Sequence, residues 1–378
     1  MRERPRRPYL RALGSLLVAL ASAGLAGPAL AGEFPPLGPL PELEAPDPAA
    51  VEWGKMLFFD NRISGDADIR CSTCHDPAKG WADGLPLSDG YPGTKYFRNT
   101  KTVVNAVHAD YFYWDGRLDG QDLETQARDA ITDSHFHAAD GRIMLERQKQ
   151  IPEYVALSQK AFGGEPSFGR MLRALAAFER TLVSRNVPFD QYARGDASAL
   201  SPEAKRGLEL FQGKAGCIRC HNGPYFSDGQ AHNVGAPDNP AVFSEIERHI
   251  TMRSVLKFLG TANYMNLRQD PGYCAVSNDP EHMGRFLTPT LREVSRTAPY
   301  MHSGMLATLE EVIDFYDRGG GDRPGKSPLL VPLGLSQAEK DALLAFLASL
   351  SGDEILIEIA QEDLPKYQLI EDWYEVRN

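Results

Sequence analysis

The sequence predicts a mainly α-helical fold of two similar domains with long loops. Two pentapeptides of one pattern, Cys71-Ser72-Thr73-Cys74-His75 and Cys217-Ile218-Arg219-Cys220-His221, lie 221 − 75 = 146 residues apart. A segment with the spacing Gly-x-x-Leu-Phe precedes each of them, at residues 54–58 and 207–211. The alternation of apolar and polar residues that indicates half-buried strands is nearly absent. A repeated unit of helix and cysteine pair is typical of a duplicated helical domain.

The individual helices follow from apolar periodicity and from start signals. The apolar pattern predicts helices over residues 49–58, 123–131 and 168–182. Ser201 followed by Pro202 is an N-cap with proline in the first turn, and it predicts a helix that leads into the second pentapeptide. Capping boxes begin two further helices, one at Thr308 and one at Ser336. Long, loop-rich segments are predicted for residues 76–99 and 222–289.

The chain is divided into an export signal and two domains. Residues 1–31 combine an arginine-rich start, an apolar stretch and the cleavage pattern Ala29-Leu30-Ala31, and therefore predict a signal peptide that is removed. A break in helical pattern between Val183 and Ser201 carries Pro188 and Gly195. We therefore expect an N-terminal domain over residues 32–190 and a C-terminal domain over residues 191–378.

The net charge of the chain limits the kinds of molecule that it is expected to bind. The formal net charge is −11, and loss of five arginines and one glutamate with the signal peptide makes it −11 − 4 = −15. An acidic surface disfavours nucleic acid and anionic membranes, and it favours a basic protein partner. No later apolar run reaches the length of a membrane span. The sequence thus predicts an exported, periplasmic protein that is not embedded in a membrane.

The pattern Cys-x-x-Cys-His is the attachment sequence of a c-type haem. Each thiol adds across a haem vinyl group, and the histidine that follows binds the iron. The predicted haem-binding residues are Cys71, Cys74 and His75 for one haem and Cys217, Cys220 and His221 for the other. The two domains are therefore expected to be cytochrome c-like, each with one covalently bound haem.

Zinc and thiol redox chemistry explain the cysteine pairs less well. Structural zinc usually pairs two cysteine hooks within about 20 residues, whereas Cys74 and Cys217 are 217 − 74 = 143 residues apart. A thioredoxin-type pair needs a βαβ context and does not use the histidine. The fifth cysteine, Cys274, is expected to be buried and inert, with a reactive thiol as the alternative.

Several further motifs occur in a fixed order along residues 49–350. They are Asp83-Gly84-Leu85-Pro86, Arg98-Asn99-Thr100, Trp114-Asp115-Gly116-Arg117, residues 286–292 (FLTPTLR), residues 297–300 (TAPY) and residues 308–311 (TLEE). Together with the two Cys-x-x-Cys-His segments, residues 71–75 (the first hook) and 217–221 (the second hook), they make the chain resemble the bacterial di-haem cytochrome c peroxidase family, which includes MauG. The resemblance implies that hydrogen peroxide binds at the N-terminal haem and that the C-terminal haem passes electrons.

The resemblance also implies a bridge between the haems. The tryptophan that lies between the two haems of the family corresponds to Trp114, whose alternative role is that of a core side chain in an aromatic cluster. A calcium ion is expected near it, at positions that match Asn99, Thr297 and Pro299. Pro299 can offer only its backbone carbonyl, an oxygen ligand of the kind that calcium prefers. A homodimer is a further expectation from the family.

The residue expected to be the second axial ligand of the C-terminal haem differs from the one found in the peroxidases. They usually carry methionine there, whereas the corresponding residue here is Tyr316, as in MauG. An anionic phenolate favours ferric iron, whereas a thioether favours ferrous iron. The alternative is that Tyr316 is a core residue and that Met283, Met301 or Met305 binds the iron.

The residues expected on the distal side of the N-terminal haem also differ from those usual in the family. Tyr91 stands where many family members have a histidine that caps the resting iron, so we expect a haem open to peroxide. Phe136 falls where a glutamate assists cleavage of the O–O bond. The neighbours His135 and His137 are the candidates for acid–base work, with surface histidines as the alternative.

Three functions follow from these features. The first and favoured one is a MauG-like oxidase that moves oxidising equivalents from the N-terminal haem through Trp114 to a His221/Tyr316 haem. The second is a peroxidase that reduces hydrogen peroxide with electrons from a small cytochrome c or a cupredoxin. The third is a di-haem electron carrier without catalysis.

Overall fold

The computed structural model describes residues 34–120 and 122–368 of the 378-residue chain. The predicted signal peptide, residues 1–31, lies outside the described residues. Within the described part the fold is mainly helical, as predicted, with long connecting loops. No helix there combines the length and the apolar character that a membrane span needs.

The first half of the chain contains seven described helices. They are α1 (Pro48–Phe58), α2 (Cys71–Cys74), α3 (Leu123–Thr132), α4 (Gly141–Lys149), α5 (Pro152–Phe162), α6 (Phe168–Glu179) and α7 (Pro188–Ala193). Asp47 caps α1 by accepting hydrogen bonds from the backbone of Ala49 and Ala50. The helix predicted to reach residue 182 ends at Glu179, because Thr181 and Leu182 turn back onto the carbonyls of Phe178 and Glu179.

The second half contains α8 (Pro202–Gln212), α9 (Ala241–Ser244), α10 (Ile246–Phe258), α11 (Cys274–Ser277), α12 (Leu309–Asp317) and α13 (Gln337–Ala348). The predicted caps are present, because Ser201, Thr308 and Ser336 each accept a hydrogen bond from the first turn of their helix. Two short antiparallel ribbons complete the described chain. They are β1 (Tyr111–Phe112) with β2 (Leu118–Asp119), and β3 (Ala231–His232) with β4 (Phe286–Leu287).

Helix α10 lies inside the segment that the sequence predicted as loop-rich. Its 13 residues have no clear apolar face, which is why periodicity missed it. Met252, Val255 and Leu256 nevertheless pack in an apolar cluster with side chains of the loop of residues 76–99. The buried Arg248 guanidinium adds hydrogen bonds to the carbonyls of Ser88 and Tyr96. The helix is therefore anchored to that loop by both apolar and polar contacts. Helices α4 and α5 were not predicted either.

The same helix crossing builds both halves of the molecule. Gly54 of α1 lies against the carbonyl of Ala174 in α6, and Gly207 of α8 lies against the carbonyl of Ala342 in α13. A Cβ atom on these glycines would come within 1.8 Å and 2.0 Å of the two carbonyl oxygens. The repeated spacing Gly-x-x-Leu-Phe therefore marks the point where the two helices of each domain touch.

Replacing either crossing glycine with alanine is expected to destabilise the protein. A methyl group cannot fit against a backbone carbonyl, so Gly54→Ala or Gly207→Ala should lower the free energy of unfolding by about 3 kcal/mol or more. Gly169→Ala in α6 is the matched control, because nothing lies within 4 Å of its added Cβ. It should gain about 0.5–1 kcal/mol. Urea unfolding of the holoprotein measures all three, and equal stabilities would contradict the crossing geometry.

The two helical halves exchange their terminal segments. Leu37, near the start of the described chain, packs in the apolar cluster of the second half. Ile355, Ile357 and Ile359, near its end, pack in the cluster of the first half. The Trp81 indole donates a hydrogen bond of 2.9 Å to the Ile355 carbonyl. Each terminal segment thus packs on the opposite half and holds the two halves together. The domain boundary at residue 190 stays a prediction.

A buried ion network joins the loop of residues 76–99 to the second half. Arg98 is 1% exposed and donates hydrogen bonds to Asp115 at 2.6 Å and to Asp270 at 2.7 Å. Burial alone would raise the pKa of Asp115, but the charges of Arg98 and Arg117 and the Arg98 hydrogen bond together outweigh burial and lower it. Arg117 also contacts Asp115, at 3.2 Å. Trp114, next to Asp115 in the chain, is thereby fixed at the contact between the halves.

Candidate functional site

The first cysteine pair forms the single-turn helix α2. The amide of His75 donates a hydrogen bond of 3.0 Å to the Cys71 carbonyl, which closes the turn. Nδ1 of His75 bonds the Trp81 carbonyl at 3.1 Å. This contact fixes the ring and leaves Nε2 as the nitrogen for an iron.

The second pair repeats this arrangement. The amide of His221 donates to the Cys217 carbonyl at 2.9 Å, and its Nδ1 bonds the Phe226 carbonyl at 3.1 Å. Burial lowers the pKa of both His75 and His221, so both rings are neutral near pH 7. Neutral imidazole is the form that binds metals.

The residues of both sites fit a covalently bound haem. None of the five cysteines pairs in a disulfide within the described residues. Each hook therefore offers two thiols for vinyl addition and one oriented imidazole for the iron. Cys274 is buried, as the sequence predicted.

His137 lies close enough to His75 for their charges to interact. Its Nδ1 bonds the Ala130 carbonyl at 3.0 Å, and its buried Nε2 has no partner among the described residues. Burial, with a smaller contribution from the charge of His75, lowers the pKa of His137 to about 4. A neutral ring with one unpaired nitrogen can accept a proton from a molecule bound there.

The other distal candidates point elsewhere. Nδ1 of His135 lies 2.8 Å from the Asp133 carboxylate. The Tyr91 hydroxyl accepts a hydrogen bond of 3.0 Å from the Asp66 amide, while the Tyr91 amide donates to the His135 carbonyl. Phe136 packs on the Tyr96 ring at a centroid distance of 4.9 Å. These contacts hold the Tyr91 hydroxyl group and Nδ1 of His135, whereas the unpaired Nε2 of His137 is buried.

Tyr316 faces the second hook. It lies on the last turn of α12, and no hydrogen bond to its hydroxyl occurs among the described residues. Burial raises the pKa of the phenol, and the charges of Cys220 and Cys217 raise it further, so the ring lies close to both sulfur atoms. A ferric ion at this place would reverse that shift and favour the phenolate.

Trp114 lies between segments from both halves. Its indole nitrogen donates a hydrogen bond of 2.9 Å to the Asn99 carbonyl, and its own carbonyl accepts from the Leu287 amide of β4. The ammonium group of Lys101 lies 5.4 Å from the centre of the indole ring. Burial lowers the pKa of Lys101 to about 8, so this cation is mostly retained at pH 7.

The predicted calcium residues lie on two segments in contact. The Asn99 amide donates a hydrogen bond of 2.8 Å to the His302 carbonyl, which connects its segment to residues 297–302. The Asn99 side chain donates through Nδ2 to the Leu85 carbonyl, so Oδ1 is left as an acceptor. Thr297 and the carbonyl of Pro299 would add oxygen ligands, a donor set that suits calcium. Calcium binding here stays a prediction.

Three ionisable groups near the haem sites were missed from the sequence. Lys101 lies over Trp114, and Glu179 lies beside Cys71. His232 bonds Asp228 at 2.8 Å next to Cys220, and these two groups together raise the pKa of His232 to about 10. Only Glu179 carried a usable signal, because it interrupts the apolar face of a predicted helix. The other two come close through tertiary folding alone.

Comparison with known proteins agrees with this geometry. The profile of a family described as di-haem cytochrome c peroxidase matches residues 48–198. The cytochrome-c peroxidase IdrP2 of Denitromonas iodatirespirans is 49% identical over 329 residues, which cover 87% of this chain and 88% of that protein. The chain belongs to the di-haem cytochrome c peroxidase family. The recognition made from the sequence is thus confirmed.

The chain is also similar to proteins that are named for MauG. The methylamine utilization protein MauG of Methylorubrum extorquens is 37% identical over 325 residues, 85% of this chain and 84% of that protein. A solved structure of a MauG-like protein associated with microbial copper homeostasis superposes with a TM-score of 0.69 at 28% identity, and covers 85% of this chain and 94% of that one. The peroxidase is thus a haem peroxidase-type oxidoreductase with two covalently bound haems.

Proposed function

We propose that the protein reduces hydrogen peroxide in the periplasm with electrons from a small cytochrome c or a cupredoxin. The difference between the two hooks carries this proposal. A neutral imidazole with an unpaired nitrogen, that of His137, lies near His75, whereas the phenol of Tyr316 lies near the cysteines of the second hook. His75 would hold the haem at which peroxide binds, and His221 would hold the haem that passes electrons to it. Export and the donor are inferred from the sequence and from the family.

His137 is the residue that would move protons during peroxide reduction. Its Nε2 would accept a proton from bound peroxide and return it to the leaving oxygen atom. Nδ1 stays on the Ala130 carbonyl, which holds the ring in one orientation. Phe136, Tyr96 and Tyr113 surround the neighbouring loop with aromatic rings, which limits the access of water.

His137→Ala is expected to slow the reaction with peroxide by about 10²–10⁴-fold. The measurement is stopped-flow absorbance of the ferric holoprotein mixed with hydrogen peroxide. His135→Ala is the matched control, because that ring is held by Asp133 and should leave the rate unchanged. Equal losses in both variants, or none in His137→Ala, would remove His137 from this role.

Tyr316 favours a second candidate, the MauG-like oxidase. A tyrosinate-bound haem holds reducing electrons poorly and shares oxidising equivalents more readily. This candidate would act on a protein or an organic donor. The relative named cytochrome-c peroxidase is more similar to this chain than the one named MauG, which supports the donor-driven peroxidase.

The experiment that decides between these functions measures whether a reduced donor protein is oxidised when peroxide is present. The mature holoprotein is mixed with hydrogen peroxide and a reduced small cytochrome c, and in parallel with a reduced cupredoxin. The proposal expects catalytic oxidation of two donor molecules per peroxide, since H₂O₂ + 2e⁻ + 2H⁺ gives 2H₂O. Peroxide-dependent oxidation of haem without donor turnover would support the MauG-like oxidase. No reaction with peroxide at all would leave an electron carrier.

A further inference from the structure

Glu179 is a buried carboxyl group at the edge of the first haem site. It is the last residue of α6 and is only 5% exposed. Its carboxylate makes no hydrogen bond or ion pair within residues 34–120 and 122–368. Cys71 packs against the apolar cluster that contains Leu175 and Phe178 of the same helix, which brings the end of α6 to this cysteine. In agreement, the Glu179 charge is, after burial, the main influence that raises the pKa of Cys71. The mechanism above does not use this group.

The second domain has a leucine at the same place. Ala174 and Ala342 correspond, because each receives the crossing glycine of its domain. Five residues later, Glu179 therefore corresponds to Leu347, which packs in one apolar cluster with Cys217. Leucine fills this place without the penalty of a buried polar group that lacks a partner. The carboxyl group is thus a feature of the peroxide-binding domain alone.

Few charged groups of the protein affect the pKa of Glu179. Burial raises the pKa of Glu179 to about 8, and Arg180, the next residue, is the one charged group described as lowering it. The ion pairs of the helices packed on α6 are partly exposed: Lys55 of α1 pairs with Glu52, Arg128 of α3 with Asp129, and Lys149 of α4 with Glu146.

The Cys71 sulfur also faces Glu179, but it no longer titrates once it is a thioether. A haem held by Cys71 and Cys74 would have its propionates on the edge of the ring opposite the thioether bonds. A change in the charge of such a haem would then act on Glu179.

We propose that Glu179 holds a proton that it releases when the N-terminal haem is oxidised. Loss of one electron adds one positive charge to the iron, which stabilises a carboxylate at the thioether edge. The step balances: one electron passes from the iron to an external oxidant, and one proton passes from the Glu179 carboxyl group to water. Reduction reverses both transfers. Glu179 is thus a redox-linked proton site that tunes the haem without touching peroxide.

Potentiometric titration of the holoprotein between pH 6 and pH 9 tests this proposal. Redox mediators set the potential, and absorbance follows the N-terminal haem without any peroxide. Because rising pH favours the carboxylate and hence the ferric state, the ratio of oxidised to reduced haem at fixed potential should rise up to tenfold per pH unit. That change equals about 59 mV per unit.

Glu179→Gln keeps the shape of the side chain and cannot ionise, so its potential should be independent of pH over the range where the wild type slopes. Glu179→Leu, which copies Leu347, should behave in the same way. Glu52→Gln removes a carboxyl group on the exposed face of α1 and should keep the wild-type slope. A slope that survives in Glu179→Gln, or a wild type without a slope, would overturn the proposal.

A measurement on the wild type alone guards against a variant that loses its haem. Infrared difference spectra between reduced and oxidised holoprotein should lose the carbonyl stretch of a protonated carboxyl on oxidation. If no such band disappears, Glu179 does not release its proton and the proposal fails. Neither measurement requires peroxide turnover, so its outcome is independent of the function proposed above.

Discussion

Replacing Tyr316 with methionine is expected to raise the reduction potential of the C-terminal haem by several tenths of a volt, within the ~0.8 V range over which axial ligands act. The phenolate carries a negative charge that stabilises ferric iron, whereas a thioether is neutral and favours ferrous iron. The ring of Tyr316 lies against both cysteines of the second hook, so its replacement acts directly at that haem. Potentiometric titration of the holoprotein gives the shift.

Two further variants make the result specific. Tyr316→Phe removes the hydroxyl group without supplying a ligand, so it should abolish the tyrosinate spectrum and leave an open coordination position. Tyr192→Met alters a tyrosine of the same half whose ring lies beneath Lys205, and it should leave the potential unchanged. If Tyr316→Met kept the wild-type spectrum and potential, Tyr316 would be a core residue, and one of the nearby methionines would be the ligand.

Replacing Trp114 with phenylalanine is expected to slow donor turnover by more than about tenfold, which corresponds to ~1.4 kcal/mol in the barrier. An indole can carry a transient positive charge between two haems, and a phenyl ring is much harder to oxidise. The first reaction with peroxide should keep its rate, because His137 and the His75 site are unchanged. Stopped-flow absorbance separates the two steps: the N-terminal haem reacts, and oxidation of the C-terminal haem is delayed.

Lys101 offers a variant with the opposite effect. A cation 5.4 Å from the indole opposes a positive charge on the ring by on the order of 3 kcal/mol at an effective dielectric constant of about 20. Lys101→Met should therefore speed transfer through Trp114. Trp53→Phe is the control, since Trp53 is a buried core residue of the first half and lies off this route. A Trp114→Phe variant with wild-type turnover would exclude the indole as the bridge.

Local sequence signals predicted the elements that hold the haems. The helix starts at Ser201, Thr308 and Ser336 were correct because an N-cap is satisfied by atoms within one turn. Helix α10 was missed because Arg248 anchors it to carbonyls about 160 residues away in the chain. Periodicity measures an apolar face and does not register a buried guanidinium.

The distal pocket shows the same limit more sharply. His135 and His137 were equal candidates in the sequence, since they flank Phe136 at the same distance. The structure separates them by their contacts: Asp133 engages Nδ1 of His135, whereas Nε2 of His137 stays unpaired and buried on the side of His75. Which of the two histidines keeps a buried, unpaired nitrogen depends on where α3 ends and on the path of the loop that follows it. The identities of the neighbouring residues do not determine that path.

The sequence by itself determined the two covalent haem sites, the duplicated helical plan and the family, because these features depend on short spacings within one turn or one helix. The tertiary structure alone decided which groups meet across the chain. It brought Tyr316 to the cysteines of the second hook, Lys101 to the face of Trp114 and Glu179 to the edge of Cys71. The physical reason is that burial and neighbouring charge, which set potentials and proton affinities, arise only when distant segments pack together.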